Sequence, residues 1–375
     1  MGVNGRLFAP ALHPAPTVPC SDENQFDFWR SNVRKAVLDA VDEFITDRCA
    51  VDLRGAGVDI AADVLVAFVG GGKCLRSTFM FLGWRCGAEP THAALRAAAS
   101  LELLHAFALL QDDVMDGSPL RRGRASAHVQ FADWHRDRGL SGSASRFGES
   151  AAVLLGDLCL VWAEQMLRDS GLDDSALNRA WPRYDAMRAE LAVGQFADLV
   201  NDVGVLPTLD EVLEVARRKS GNYTVRRPLE IGAAMADCGD LLLTQLGAYG
   251  DAVGEAFQLR DDLLGIFGAP EVTGKPVGAD LAEHKATSVV VAAHHMASPS
   301  LRNELTELMS TDDLDAADID RWRSLIVRTG AVQRIEDMID DRVRRASEWI
   351  EMSRLDATVR SALLKMASAC TRRAA

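Results

Sequence analysis

The segment LELLHAFALLQDDVMD, residues 101–116, carries the main structural and chemical signals of this sequence. Its apolar residues predict a long helix that ends with Asp112, Asp113 and Asp116. On a helix, Asp112 and Asp116 share one face, where like charges repel, and the helix dipole disfavours anions at this end. Carboxylates kept against both effects indicate a bound cation. The alternative is a solvated acidic helix end.

A second segment, FQLRDDLLGIFG at residues 257–268, has the same arrangement. Asp261 and Asp262 end an apolar helix, and Gln258 lies one turn before them. Oxygen ligands without His or Cys favour magnesium, which typically bridges carboxylates to substrate phosphates. Two such clusters that face each other would hold a diphosphate through several metal ions. Together, the two segments predict a magnesium-dependent diphosphate site.

Basic residues lie next to these clusters and next to a run of glycines. They are Lys73, Arg76, Arg121, Arg122 and Lys219. The glycines at 70–72 would let backbone N–H groups approach an anion. Each cation alone is more often a solvated surface charge, so only the combination indicates binding. Two anionic substrates would need two such sets.

Helical periodicity extends over most of the chain. Apolar residues recur at helical spacing from about Asn24 onward, and strand signals are scarce. Glycine and proline mark loops at 70–72, 117–119, 265–278 and 298–300. The sequence therefore predicts an all-α fold, a single large bundle of ten or more helices over residues 25–375. The proline-containing segment 1–24 is predicted to be a disordered tail.

The overall composition limits the partners. The 41 Lys and Arg residues against 54 Asp and Glu give a formal net charge of -13, which repels nucleic acid. We expect no membrane span, since no stretch approaches the roughly 18 uncharged apolar residues required, and no secretory signal. The seven cysteines lack paired C-x-x-C spacing, which favours a reducing cytoplasm.

Five segments resemble those of trans-isoprenyl diphosphate synthases and occur in that family's order. They are GGKCLR (71–76), ELLHAFALLQDDVMDGSPLRRG (102–123), GQFADL (194–199), KSGNYTVRRP (219–228) and FQLRDDLLGIFGAPEVTGKPVGADL (257–281). The resemblance is to bacterial geranylgeranyl or farnesyl diphosphate synthases and covers roughly residues 25–350. It implies the isoprenoid synthase fold with a central cavity, a homodimer, and magnesium-dependent head-to-tail (1'-4) condensation of isopentenyl diphosphate with an allylic diphosphate.

The resemblance also implies roles for individual residues. Those that would hold magnesium, three ions per site when substrate is bound, are Asp112, Asp113, Asp116, Asp261 and Asp262. Those that would contact the allylic diphosphate are Arg121, Lys219 and Lys275, and Lys285 is a further substrate-binding residue. Those that would bind isopentenyl diphosphate are Lys73, Arg76, His105 and Arg122. The groups that would stabilise the carbocation are the Lys219 carbonyl, the Ser220 hydroxyl and the Gln258 amide oxygen.

Four positions depart from the family pattern. Gly265 stands where many relatives have a third aspartate, and Ala269 also replaces a common aspartate. Ser220 stands where threonine is usual, and His284 where glycine or asparagine is common. These departures bear most directly on the expectation of three metal ions. Because Asp261 and Asp262 are retained, we still expect activity.

Phe107 and Ala108, five and four residues before Asp112, are expected to set product length. In related enzymes a bulky pair there stops growth at the farnesyl chain. The small Ala108 favours geranylgeranyl diphosphate, a C20 product, with a C15 product as the alternative. Ideal helix geometry places Ala108 nearly beneath Asp112, so the role of Phe107 rests on the resemblance.

Two other functions share some of these signals. A class I terpene cyclase also has an aspartate-rich helix but needs one diphosphate only, which would leave Lys73, Arg76 and Arg122 without a role. A non-catalytic regulatory subunit would be expected to lose carboxylates from both clusters, whereas this chain keeps five of the usual six. Both rank below the synthase.

Overall fold

The computed structural model describes residues 15–18, 23–202, 206–270, 277–311 and 313–372. In this part of the chain the only strands are two short antiparallel ones, β1 (Leu120–Arg121) and β2 (Arg124–Ala125). Everything else is helix, turn or loop. The prediction of an all-α bundle of ten or more helices is confirmed.

The first half contains α1 (Glu23–Arg48), α2 (Asp59–Val69), α3 (Leu75–Arg85), α4 (His92–Met115), α5 (Ala127–Asp137), α6 (Ala144–Arg168), α7 (Asp174–Asp202) and α8 (Leu209–Ala216). The second contains α9 (Arg227–Met235), α10 (Asp240–Phe267), α11 (Ala279–Ala282), α12 (Ser288–Met296), α13 (Pro299–Met309), α14 (Ala316–Thr329), α15 (Ala331–Glu351) and α16 (Ala357–Thr371). A π-helical turn (Cys49–Leu53) and a 3-10 turn (Arg54–Ala56) follow α1, and a longer π-helix (Arg217–Arg226) joins α8 to α9.

Helix α4 lies at the centre of the larger core, against α1, α3 and α6. Consecutive residues such as Ala97, Ala98 and Ala99 are all fully buried, so this helix is apolar on every side. Its start is fixed by Thr91, whose hydroxyl accepts the Ala94 N–H at 3.1 Å. The buried helix therefore holds the three carboxylates at its far end in a defined position.

Helix α10 belongs to two clusters of buried side chains. Val253 lies in the larger cluster, and Leu263 lies in a smaller one formed with α12, α14 and α15. The second aspartate pair is thus built on a helix that both clusters hold. The division into a tail over 1–24 and one domain over 25–375 stays a prediction. Within that tail, the Pro16 carbonyl accepts the Trp29 indole N–H at 3.4 Å.

Two helices bear on the expectation that the chain has no membrane span. By length and composition, α4 and α6 both qualify. The same test is passed by helices that lie inside a helical bundle, and 67% of the apolar window of α4 is buried. For α6 the buried share is 44%. These helices are weak evidence for a membrane span, because α4 and α6 pack against each other in the bundle.

The π-helix at Arg217–Arg226 packs closely against α10. A Cβ added to Gly254 would lie 2.7 Å from the Cα of Gly221, so only glycines allow the two backbones to approach this far. Such π-helical segments occur often at functional sites. Here the segment carries Lys219 and Ser220 towards the end of α10 that bears Gln258 and the second aspartate pair.

Candidate active site

The first carboxylate cluster lies at the end of α4 and is surrounded by cations. Arg121 donates from Nε to Asp113 Oδ1 at 2.8 Å, and its Nη2 lies 3.4 Å from Asp112 Oδ2. Lys219 Nζ lies 3.1 Å from Asp112 Oδ1. Burial raises the pKa of Asp112, but Lys219 and Arg121 outweigh it and lower that pKa below its usual value. Asp112 is therefore held ionised.

Asp113 differs from its neighbour because it is fully buried. Burial raises its pKa, and Arg121 opposes this shift only in part. Its Oδ2 is buried and accepts no hydrogen bond among the described residues. A buried, unsatisfied carboxylate oxygen beside two further carboxylates is a suitable ligand for a hard cation.

Lys219 has a second carboxylate partner, Asp198 on α7, whose Oδ2 accepts its Nζ at 2.5 Å. Burial lowers the pKa of Lys219, but Asp112 and Asp198 raise it above the usual value, so the ammonium stays charged. Asp198 was given no role from the sequence, although it lies in the quoted segment GQFADL. That motif was the signal that could have identified it.

A third cation comes from the distant segment after α11. Lys285 Nζ donates to Asp116 Oδ2 at 2.9 Å and lies 3.0 Å from Glu283 Oε2. Burial alone would lower the pKa of Lys285, but Asp116 and Glu283 raise it. All three aspartates of the first cluster are thus paired with cations that the sequence predicted to bind substrate.

The second pair is held differently. Asp262 is buried, and its Oδ2 accepts from the Ser288 N–H at 3.0 Å and the Ser288 hydroxyl at 2.6 Å. Its Oδ1 accepts from Gln258 Nε2 at 2.8 Å. Burial raises the pKa of Asp262 despite these bonds. Ser288 belongs to none of the motifs, so only the fold reveals it. Asp261, its neighbour on α10, is half-buried.

Among the described residues, no group of three or more His, Cys, Asp or Glu side chains is already arranged around a metal position. The first cluster is closed by Arg121, Lys219 and Lys285 instead. The donor atoms nevertheless suit magnesium, since they are carboxylate oxygens and one of them is buried without a partner. Residues of both clusters therefore fit the predicted metal.

A second anion site lies beside the first cluster, around Arg122. A Cβ on Gly71 would lie 3.1 Å from Arg122 Nη1, and one on Gly72 3.2 Å from Nη2, so the glycines make room for the guanidinium. Gly72 also has a φ of +112°, which favours glycine. Partial burial and the charge of Arg121 lower the pKa of Arg122. No ion-pair partner is found for Arg122 within the described ranges.

Arg76 and His105 complete this site. The Arg76 guanidinium lies over the Tyr223 ring, 4.2 Å from its centre, and within the described chain Arg76 has no ion pair. His105 is largely buried, and burial together with Arg76 and Arg122 holds its pKa well below the usual value, so the ring is neutral. Two arginines that are not ion-paired to a carboxylate within the described residues supply the positive charge that a diphosphate requires. Lys73 lies at the exposed edge of the same loop.

The structure also locates most of the other residues that the sequence predicted to be functional. Phe107 and Ala108 are half-buried and pack against the larger core. Ser220 is half-buried in the π-helix. Lys275 lies outside the described residues. None of these placements tests the roles that the resemblance implies, and those roles stay predictions.

The departure at His284 has a structural reason. Its φ is +53°, in the left-handed region where glycine and asparagine are favoured and histidine is tolerated better than most residues. One ring nitrogen lies 2.8 Å from the Thr311 carbonyl, and the ring faces Trp322 edge-on. The histidine therefore anchors the segment that carries Lys285.

Comparisons with known proteins agree with this geometry. The chain is 33% identical over 286 residues to a geranylgeranyl diphosphate synthase of Mycobacterium tuberculosis, which covers 76% of this chain and 76% of that protein. It is 35% identical over 216 residues to a (2E,6E)-farnesyl diphosphate synthase of Mycobacterium bovis, covering 58% of this chain and 55% of the other.

The fold is also similar to that of a crystal structure of geranylgeranyl pyrophosphate synthase from Corynebacterium glutamicum, complexed with isoprenyl diphosphate and magnesium. The TM-score is 0.87 at 33% identity, over 91% of this chain and 99% of that one. The model of the polyprenyl synthetase family matches residues 59–326. The chain therefore belongs to the polyprenyl synthetase family, the trans-isoprenyl diphosphate synthases, and is a prenyltransferase.

Proposed function

We propose that this enzyme condenses isopentenyl diphosphate head to tail (1'-4) with allylic diphosphates, with magnesium, and that its main product is all-trans geranylgeranyl diphosphate. One observation carries the proposal. Two consecutive residues serve different sites: Arg121 contacts Asp112 and Asp113, whereas Arg122 lies against Gly71 and Gly72 without a carboxylate partner in the described residues. Two adjacent anion sites fit two diphosphate substrates.

The first site suits the allylic diphosphate. Magnesium, when bound there, supplies positive charge that neutralises the leaving diphosphate. We assign its ligands to the aspartates that have an oxygen available, and leave out Asp262, which is held by Ser288 and Gln258. The assigned ligands are Asp112, Asp113, Asp116 and Asp261. The Corynebacterium glutamicum neighbour, which is complexed with isoprenyl diphosphate and magnesium, supports magnesium as the metal.

The cations that now hold the first cluster are placed to bind the leaving group. Arg121, Lys219 and Lys285 carry flexible, charged ends beside the carboxylates, and each can turn from a carboxylate to a phosphate oxygen. As the allylic C–O bond breaks, the electron pair stays on the diphosphate, where these groups stabilise it.

The carbocation needs dipoles rather than a nucleophile. Gln258 donates its amide N–H to Asp262, which leaves its carbonyl oxygen for the reacting carbons. The Lys219 carbonyl and the Ser220 hydroxyl lie in the π-helix beside it. The double bond of isopentenyl diphosphate then attacks, and the released diphosphate takes the proton that is lost.

The second site orients isopentenyl diphosphate. Arg76, Arg122 and Lys73 hold its phosphates, and the neutral His105 donates a hydrogen bond without adding charge. Fixing both reactants in this way supplies the positioning that a two-substrate reaction requires. A cyclase, with one diphosphate, would leave this second site unused.

A homodimer is part of the proposal. Large apolar side chains are exposed on neighbouring helices, Leu154 and Val161 on α6 and Phe196 on α7, which the Arg188–Glu164 ion pair joins at 3.0 Å. Such a surface is expected to be covered by a second copy. Light scattering during gel filtration should give twice the chain mass. A cytoplasmic location is likewise proposed, from the cysteine spacing in the sequence.

The product profile tests the function. The enzyme is supplied with magnesium, isopentenyl diphosphate, and either dimethylallyl, geranyl or farnesyl diphosphate, and products are identified by mass after dephosphorylation. We expect a C20 alcohol. A C15 product, or one longer than C20, would overturn the assigned length only. A hydrocarbon or alcohol from the allylic substrate alone would indicate a cyclase, and no conversion would indicate a non-catalytic subunit.

A substitution at Ala108 tests the assigned length of the product. Ala108→Phe places a bulky ring on α4 one turn before Asp112, where the growing chain is expected to pass. The main product should shift from C20 to C15, at a turnover within about tenfold of the parent enzyme. An unchanged C20 product would mean that the floor of the cavity lies elsewhere. Phe107→Ala is the matched control, and lengthens the product only if Phe107 forms that floor.

A further inference from the structure

The glycine loop at 70–72 determines where a cation of the second anion site lies. Glycine loses more backbone freedom on folding than any other residue, and Gly72 has a φ of +112°. Within the loop, the Gly71 N–H donates to the Val69 carbonyl at 2.8 Å. Lys73, which is predicted to bind isopentenyl diphosphate, follows directly. The position of this lysine therefore depends on how the loop is held.

A side chain from a distant helix holds the loop from outside. Arg34 on α1 donates from Nε to the Gly72 carbonyl at 2.7 Å, across 38 positions of sequence. Val33 and Val37, on the same part of α1, are fully buried in the larger core. The arginine thus extends to the loop from a fixed stretch of helix. Arg34 lies in no motif, so only the fold reveals this contact.

The contact also sets the direction of a backbone donor. No peptide bond in the described ranges is cis. In a trans peptide, the carbonyl of one residue and the N–H of the next point to opposite sides. Because the Gly72 carbonyl is turned towards Arg34, the N–H of Lys73 points away from it. Arg34 therefore orients a donor of the kind that glycine-rich loops offer to phosphates.

The other end of the loop is fixed by the core. Cys74, which precedes α3, is buried and has a left-handed conformation with a φ of +48°. The Thr78 hydroxyl donates to the Cys74 carbonyl at 2.7 Å. Lys73 thus lies between two fixed points, Cys74 on one side and Gly72 on the other. Since the contact between Arg34 and Gly72 is exposed, it can be removed without disturbing the core.

Arg34 also adds positive charge beside Arg122. Burial lowers the pKa of Arg122, and the charges of Arg121 and Arg34 lower it further, while Glu102 opposes them. Arg34 itself has no ion pair with any residue that the structure describes. The like charges of Arg34 and Arg122 repel each other, and a bound diphosphate would relieve that repulsion.

We propose that Arg34 is a positioning residue for isopentenyl diphosphate, which holds the glycine loop through the Gly72 carbonyl so that Lys73 meets the diphosphate. This inference rests on the second anion site of the proposed function. It extends that site to α1, a helix outside all five quoted segments. The allylic site should not depend on Arg34, because its cations come from other elements.

Binding without turnover tests the proposal. The full-length enzyme is saturated with magnesium and an allylic thiolodiphosphate that cannot ionise, and the Kd of isopentenyl diphosphate is measured by calorimetry. Arg34→Met keeps the aliphatic stem but loses every donor, and should raise this Kd about tenfold. Lys35→Met is the matched control, because Lys35 is exposed and pairs with Asp39 at 2.7 Å, and it should leave the Kd unchanged. Equal Kd values for Arg34→Met and the parent enzyme would overturn the proposal.

A second variant separates the loop contact from the charge, and decides the question alone if Arg34→Met does not fold. Arg34→Lys keeps the positive charge but loses the planar guanidinium, so the Kd should still rise about threefold. A Kd equal to that of the parent enzyme would refute the positioning role. The Kd of the thiolodiphosphate, measured alone, should change less than about twofold in both variants. An equal loss of affinity for both ligands would indicate a general disturbance and would also refute the role.

The outcome is separable from that of the proposed function. A parent enzyme that forms prenyl products, but whose Arg34 variants bind isopentenyl diphosphate equally well, refutes this inference alone. A parent enzyme that binds no isopentenyl diphosphate refutes the second anion site and this inference with it.

Discussion

The carboxylates at the end of α4 and those at the end of α10 are held by different kinds of partner. On α4, Asp112 and Asp116 are paired with the charged ends of Lys219 and Lys285. On α10, Asp262 is held by neutral donors, the backbone and hydroxyl of Ser288 and the amide of Gln258.

This difference indicates how each carboxylate cluster is expected to respond when substrate and metal bind. The lysines of the first cluster have two sets of possible partners, carboxylates now and phosphate oxygens when substrate binds, so that cluster is expected to rearrange. The neutral donors around Asp262 have no such alternative. Ser288 is fixed at the start of α12, and Gln258 lies on α10 itself. The second cluster is therefore expected to be preorganised. Substitutions in the two clusters test this contrast, and substitutions of Arg122 and His105 test the neighbouring anion site.

The largest effect is expected at the first cluster. Asp112→Asn removes the charge that pairs with Lys219 and that is assigned to metal, so kcat should fall by about 10³-fold or more. Steady-state rates at saturating magnesium measure this effect, with circular dichroism to show that the fold is kept. Asp133→Asn, an exposed acid on α5, is the control and should match the parent enzyme. A kcat within tenfold of the parent would refute the metal assignment.

Substitution of a cation that lies outside both clusters should change the KM for one substrate only. Arg122→Lys keeps the charge but loses the planar guanidinium that lies over Gly71 and Gly72, so the KM for isopentenyl diphosphate should rise roughly 10- to 100-fold. The KM for the allylic substrate serves as the internal control and should change less than about threefold. Equal increases in both KM values would mean that the two anion sites are not separate.

The neutral partner of the second cluster should contribute to stability rather than to rate. Ser288→Ala removes a buried hydroxyl that donates to Asp262 at 2.6 Å and should lower the free energy of unfolding by about 1–3 kcal/mol. Urea unfolding measures it, with Ser324→Ala, on the surface of α14, as the control. If magnesium and diphosphate restored the lost stability specifically, the second cluster would not be preorganised.

The smallest effect concerns pH. His105 has a pKa well below its usual value, so near pH 6.5 the unfolded chain takes up a proton that the folded chain does not. Stability from this residue is therefore lost as the pH falls below about 6.5. In His105→Gln the loss of unfolding free energy between pH 7.5 and 5.5 should be smaller by about 1 kcal/mol. An identical pH dependence would show that the ring is protonated in the fold.

Local patterns predicted the helices well but predicted their partners only in part. The apolar periodicity and the carboxylate motifs led to the ends of α4 and α10, because both signals lie within one helix. The contact of Lys285 with Asp116 spans 169 positions and depends on how the whole bundle closes. The same holds for Ser288, which lies in no motif, and for Asp280, which lies in a quoted motif but whose place over Gly265 appears only in three dimensions.

The adjacency of Arg121 and Arg122 has a consequence for iteration. Consecutive Cα atoms lie about 3.8 Å apart, so the short hairpin of β1 and β2 fixes the backbone spacing of the two arginines that, in the proposed function, bind the two diphosphates. That spacing does not depend on the length of the hydrocarbon tail. In the proposed reaction, each round of elongation can therefore begin from the same head-group geometry, whether the primer has five, ten or fifteen carbons, and the tail end of the cavity sets the number of rounds.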